Sequence, residues 1–163
     1  MKDIAVRIRH PESEDYDRII AILNEWWGGR SMSDMLPKLF FVHFRDTSFI
    51  AENQGEIIGF LIGFVSQTFP DEAYVHFIGV HPNFRKRGVG RTLYDRFFDA
   101  VLQRGRHVVR LVTLPVNKQS IAFHTHIGFQ IEPQDTELNG IPFCRDYDGL
   151  GNDRVLFVKR LPD

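Results

Sequence analysis

Four basic side chains and two glycines crowd one stretch, Arg85-Lys86-Arg87-Gly88-Val89-Gly90-Arg91, between an apolar extended run and a helical pattern. Glycine at such a junction lets the backbone approach an anion. The N–H groups of the first helical turn point at it, and the helix dipole favours negative charge. The chemistry predicted there is the cradling of a phosphate, with a ligand-free turn as the alternative. Two better-known phosphate motifs are excluded. A dinucleotide fingerprint would need glycine where Leu93 stands, and a P-loop would need Gly-Lys-Ser/Thr. The seven histidines raise the question of a metal. His124 and His126, two residues apart on a helix, lie on different faces, and Cys144 is the sole cysteine, so no metal is expected.

The elements around this stretch must position it. Residues 73–80 read as a strand, with Tyr74, His76, Ile78 and Val80 on one face and Val75, Phe77 and Gly79 on the other. The helix expected from Gly90 to residue 104 buries Leu93, Phe97, Phe98, Val101 and Leu102, and Gly105 ends it. Upstream, residues 5–9 alternate as a first strand. Ile19, Ile20, Leu23, Trp26 and Trp27 mark a first helix that stops at Gly28-Gly29. A second helix is expected from the capping run Ser31-Met32-Ser33-Asp34, with Met35, Leu36, Leu39, Phe40 and Phe44 as its apolar face. Pro37 is tolerable only near its start. Strands are expected over 47–52 and 57–67, joined by a turn at 53–56, with Gly59 and Gly63 marking bulges or close approaches. Downstream come a strand at 107–114, a short helix at 120–127, and strands at 129–132 and 154–159. Residues 133–151 are irregular and read either as a solvated excursion or as a lid whose Asp135, Glu137, Asp146 and Asp148 attract a cationic amine. This order predicts a mixed α/β fold with helices on both faces of one sheet.

At 163 residues the chain fits one domain, 1–163, and its 43% hydrophobic content, with fifteen phenylalanines, supplies a sizeable aromatic core. A net charge of -1 argues against nucleic acid or an anionic membrane as partner. A lone cysteine allows no internal disulfide and fits a reducing, cytoplasmic location. The N-terminal Met1-Lys2-Asp3-Ile4-Ala5-Val6-Arg7 offers no signal-peptide core, and no apolar run is long enough to span a membrane. Strand edges and the many phenylalanines are compatible with a homodimer.

The run Arg85-Lys86-Arg87-Gly88-Val89-Gly90, preceded by Val80-His81-Pro82, resembles the Arg/Gln-x-x-Gly-x-Gly/Ala loop that holds the acetyl-CoA pyrophosphate in the GNAT family of N-acetyltransferases. A second block, from Asn117-Lys118-Gln119-Ser120 through Phe123-His124 to Gly128-Phe129, is similar to that family's Asn-x-x-Ser/Ala-x-x-Phe/Leu-Tyr-x-x-x-Gly-Phe segment. The resemblance implies a mostly antiparallel sheet of about seven strands flanked by about four helices and splayed at the cofactor site. It implies transfer of acetyl from acetyl-CoA, without a metal, by direct attack of a primary amine of a small molecule or peptide. A CoA-binding or sensing module of the same fold that transfers nothing is the alternative.

Carried residue by residue, the resemblance assigns the pantetheine arm to backbone near Ile78 and Val80. It assigns the pyrophosphate to backbone N–H groups of Arg85, Lys86, Arg87, Gly88, Val89, Gly90 and Arg91, and further cofactor contact to Asn117 and Ser120. A backbone N–H near Val80 would polarise the thioester carbonyl. The family's usual tyrosine, four residues before Gly-Phe, is His124 here. It reads either as an acid for the departing thiolate or as a side chain bonded to the main chain. Tyr74 or Tyr147 is the alternative source of a hydroxyl. The strand before the loop carries no carboxylate beside Tyr74 and His76, so His76 is the first candidate base, with a structural role as its alternative. Trp26, Trp27 and Arg30 read either as core and turn residues or as an acceptor-side aromatic wall, with Arg30 facing an anionic group of the substrate.

Overall fold

Period-two patterning builds the strands and period-3.6 patterning the helices of this mixed α/β protein. A computed structural model describes residues 3–163; Met1 and Lys2, part of the N-terminal stretch read above, lie outside the described residues. The order is β1 (Arg7–Arg9), α1 (Asp15–Trp26), α2 (Leu39–His43), β2 (Phe49–Asn53), β3 (Glu56–Val65), β4 (Glu72–Val80), α3 (Val89–Leu102), β5 (Val108–Thr113), α4 (Lys118–His126), β6 (Gln130–Ile131), β7 (Thr136–Leu138), β8 (Ile141–Phe143) and β9 (Val155–Arg160). Seven strands form one sheet in the order β1-β2-β3-β4-β5-β9-β6, and β7 and β8 pair separately. The β4–β5 pairing is parallel, whereas β1–β2, β2–β3, β5–β9 and β6–β9 are antiparallel. The mixed, mostly antiparallel arrangement expected above is borne out.

By contact density the chain divides into two compact units. One holds the chain up to Val65 together with Val75–Gly105, and the other holds Ser66–Tyr74 with Arg106–Asp163. In the first unit Ile19, Leu23 and Trp26 of α1 pack with Leu36, Phe41, Ile50, Phe60, Ile62 and Phe77. Arg9 of β1 ties this layer at its edge. It donates to both carboxylate oxygens of Asp15 at the start of α1, at 2.7 and 2.8 Å, and to Glu52 of β2 at 2.8 Å. Burial works against the Asp15 charge, but the bonds from Arg9 and from the Glu12 N–H leave its pKa below the ordinary carboxylate value. Helix α3 buries Val89, Leu93, Tyr94, Phe97 and Val101, while Phe98 and Leu102, expected in the core, are half-buried.

The second helix differs from expectation. Instead of one segment over 31–44 there is a single 3-10 turn at Ser33–Met35, then the five-residue α2. Pro37 is the reason, since its ring disfavours helical backbone at the preceding residue, and Leu36 sits at φ -128°, ψ 71°. The break also redistributes the apolar residues: Leu36 and Phe41 are fully buried, while Met35 and Leu39 are exposed. On β2–β3 the register shifts between Ala51 and Glu52, opposite the Gly59 expected to mark a bulge.

In the second unit α4 and Phe129 pack with β9 through His124 and Phe157. Residues 133–151 are more ordered than the irregular stretch expected. β7 and β8 make a hairpin around Asn139 and Gly140, both at positive φ. Cys144 and Arg154 then exchange backbone bonds of 2.7 and 3.0 Å. Within the loop they close, Asp146 Oδ1 accepts from Gly151 N–H and the Asp148 carboxylate meets Arg154 Nε, both at 2.7 Å. No helix among the described residues is long and apolar enough to cross a membrane.

Candidate functional site

The alternation of β4 sorts its side chains as the sequence predicts: Val75, Phe77 and Gly79 are buried, and Tyr74, His76, Ile78 and Val80 are half-buried on the other face. The strand ends where His81 N–H bonds the Ile58 carbonyl at 2.8 Å and a 3-10 turn, Pro82–Phe84, begins. Lys86 and Gly88 then take left-handed backbone, with φ 60° and 81°. Such alternation turns successive N–H groups toward one side of a loop. The first rung of α3 joins Thr92 N–H to the Gly88 carbonyl at 2.9 Å, so the N–H groups of residues 88–91 stand ahead of the helical ladder. A Cβ at Gly88 would meet nothing within 4 Å, so the turn is open on that side. A pyrophosphate group fits this combination of exposed loop, open side and helix start.

The basic side chains of this loop do not all face outward. Arg85 donates from Nη2 to the Trp26 carbonyl at 2.6 Å and from Nε to the Val80 carbonyl at 3.1 Å. Arg87 lies over the Phe84 ring at 5.8 Å, and Arg91 faces Asp95 at 3.9 Å.

The end of α1 lies against the end of β4 in the same unit. Trp26 is buried, its ring against Phe60 and His81. Trp27 is half-buried, edge-on to Phe77 and above Gly79. A Cβ at Gly79 would stand 2.7 Å from Phe60 Cε1 and 2.8 Å from Trp27 Cη2, so only glycine fits there without repacking both rings. Arg30 is exposed just beyond, its N–H bonded to the Trp27 carbonyl. His76 stacks on Phe40 at 4.2 Å with an 11° interplanar angle, and its Nε2 lies 2.6 Å from the Met35 carbonyl. A carbonyl only accepts, so Nε2 carries the hydrogen and any base chemistry at His76 falls to Nδ1.

In the second unit, Asn117 is the N-cap of α4: its Oδ1 accepts from Ser120 N–H at 3.1 Å. His124 is 2% exposed, and its Nδ1 donates to the Ser120 carbonyl at 2.8 Å. Burial pushes its pKa down to about 4, the Ser120 bond pulling weakly the other way. The ring is therefore neutral at pH 7. Burial also pushes Tyr74 up to about 12, aided by nearby Tyr147 and Asp148, so its hydroxyl keeps its proton. Among the described residues no group of three or more His, Cys, Asp or Glu side chains is placed to hold a metal ion.

Sequence reasoning singled out the loop, β4 and α4 but missed Gly79 as a contact point, and it missed the Met35–Phe40 setting of His76. No local pattern marks Gly79, because the rings that meet it, Phe60 and Trp27, come from β3 and the end of α1. The break at Pro37, which frees the Met35 carbonyl from a helix, was the signal for the second.

A family model described as the acetyltransferase (GNAT) family matches residues 12–129. An L-2,4-diaminobutyric acid acetyltransferase from Nocardia farcinica is 34% identical over 85 residues, which cover 52% of this chain and 44% of that protein. The chain spans less than half the length of the first curated relatives it matches, 44% and 40%. Among solved structures, Ard1 from Thermoplasma volcanium aligns with a TM-score of 0.76 at 20% identity, covering 98% of this chain and 100% of that one. Diaminobutyrate acetyltransferase EctA from Paenibacillus lautus, in complex with L-2,4-diaminobutyric acid and coenzyme A, aligns with a TM-score of 0.71 at 19% identity, covering 98% of each chain. At these identities the structural likeness concerns the fold.

Proposed function

The chain belongs to the acetyltransferase (GNAT) family, and from that premise we propose that it is an acetyl-CoA-dependent N-acetyltransferase acting on a primary amine of a small molecule or peptide. The observation that supports this most directly is the junction of β4 and α3, where left-handed Lys86 and Gly88 precede N–H groups outside the helical ladder. Acetyl-CoA would supply the activated acyl group as a thioester. In the first unit, backbone N–H groups of residues 85–91 hold its pyrophosphate, and backbone at Ile78 and Val80 aligns its arm and polarises the carbonyl. Trp27 and Arg30 face the acceptor, with Trp26 fixing them from the core. His76, through Nδ1, takes the proton an ammonium must lose before it can attack. In the second unit, Asn117 and Ser120 serve the cofactor. Tyr74, whose hydroxyl stays protonated, is the stronger candidate to donate a hydrogen bond to the departing thiolate. The neutral His124 ring is a weaker candidate, because its single N–H is committed to the Ser120 carbonyl.

The substrate named for the Nocardia farcinica relative puts amino-acid amines at the head of the acceptor classes to try. A cytoplasmic location is the reading that the lone cysteine supports. The loop assignment is tested by titrating acetyl-CoA into the protein and into Gly88→Val. A β-branched residue at φ 81° distorts the turn, so binding should weaken by about tenfold or more. Equal binding by both proteins would remove the loop from the cofactor site.

A further inference from the structure

We infer that Arg85 is a positioning residue, a strut that fastens the C-terminal end of α1 to the end of β4, and that its guanidinium takes no part in holding phosphate. The inference rests on the acetyltransferase reading only for its consequence in catalysis; the strut itself stands on geometry within one unit. The side chain donates to two main-chain carbonyls from distant parts of the sequence, Trp26 at 2.6 Å and Val80 at 3.1 Å.

Each carbonyl has a reason to need it. The last four carbonyls of a helix lack intrahelical donors. At the end of α1, the Asn24 and Glu25 carbonyls are met by N–H groups of Trp27, Gly28 and Gly29. The last turn of α1 contains no basic residue, so the cation favoured at a helix C-terminus comes from outside, from Arg85. The Val80 carbonyl belongs to the same peptide as the His81 N–H, which bonds the Ile58 carbonyl at 2.8 Å. With Arg85 on its other side, that peptide plane is held from both ends. It is the last peptide of the strand whose backbone is proposed to polarise the thioester. Trp27 lying over Gly79 braces the same junction. A planar, forked guanidinium meets two carbonyls at once; a lysine ammonium on a flexible stem does not reproduce that fork.

The consequence is a division of labour in the loop: backbone N–H groups take the anion, and the arginine side chain holds the acceptor side against the strand end. Arg85→Lys and Arg85→Gln in the full chain test it, Lys keeping the charge and Gln removing it. Amide hydrogen exchange at residues 24–30 should quicken by about tenfold or more in both variants, as expected for a lost charge-assisted hydrogen bond. The dissociation constant of acetyl-CoA should stay within about threefold of wild type, and kcat/KM for an accepted amine should fall more than that. Unchanged exchange at 24–30 would overturn the strut. So would acetyl-CoA binding that weakens by about tenfold in Gln, is kept in Lys, and loses one contact's worth of salt dependence, which is the behaviour of a phosphate ligand. If wild type binds no acetyl-CoA at all, the acetyltransferase reading falls, and the exchange rates still decide the strut.

Discussion

Acid should destabilise this protein through His124. The ring is 2% exposed, with Phe123, Phe129 and Phe157 around it at centroid distances of 5.1, 5.6 and 5.6 Å. Its pKa falls to about 4 because burial disfavours the imidazolium, whereas an unfolded chain titrates near 6.5. Between those values the unfolded chain binds a proton that the folded one does not, so acid favours unfolding. The stabilisation is fully present above about pH 6.5 and is lost as the pH falls toward 4. At 1.36 kcal/mol per pKa unit, this one group removes about 2 kcal/mol by pH 5 and about 3 kcal/mol by pH 4, a sizeable share of a domain's 5–15 kcal/mol. His124→Phe keeps an aromatic ring and abolishes the titration, at a roughly pH-independent cost of about 1 kcal/mol for the lost bond to Ser120. Urea unfolding of both proteins from pH 7 to pH 4.5 isolates the effect, because other groups titrate alike and cancel in the difference. Wild type should lose about 2 kcal/mol relative to the variant between pH 7 and pH 5. Parallel curves would mean that the folded ring titrates normally, and a cationic acid at His124 would again be open.

Replacing Asn117 separates its two roles. Asn117→Ala should cost about 1 kcal/mol by removing the cap, while Asn117→Asp keeps the cap; weaker acetyl-CoA binding by Asn117→Asp with an unchanged melting temperature is expected if the side chain reaches the cofactor, and an unaltered dissociation constant sinks that role. Gly79→Ala should cost about 1–3 kcal/mol by pressing on Phe60 and Trp27, read as a lower urea midpoint with shifted tryptophan fluorescence; a neutral substitution would show that the rings yield freely. His76→Ala should lower turnover about a hundredfold with acetyl-CoA affinity kept, and unchanged turnover at several pH values would remove His76 as the base.

Much of the site's scaffold was legible because it is periodic. The switch from period two at Tyr74–Val80 to helical spacing after Gly90 marks the junction, and the Gly88 signal is tied to a backbone state that the structure shows. Apolar spacing over 31–44 reads as one long helix, but Pro37 acts locally and decisively on Leu36 and leaves only the short α2. The β7–β8 hairpin is hard to read although Asn139-Gly140 is a strong turn pair; the Pro142 beside it and the short flanking runs hide the alternation. Arg85 could not have been read at all. No pattern tells whether a loop arginine faces solvent, an anion or a carbonyl, since that depends on where a helix 59 residues earlier in the chain ends. The burial of His124 was equally hidden, because it is set by Phe129 and Phe157 around it and not by its own helix, whose apolar face is weak.

Release of CoA thiol from acetyl-CoA, followed across amino acids, polyamines, aminoglycosides and lysine peptides, tests the central claim most directly. Release that depends on both the protein and one class of amine is the predicted result. Silence across the panel, together with no detectable binding of acetyl-CoA, would contradict the assignment of residues 85–91 and with it the proposed activity.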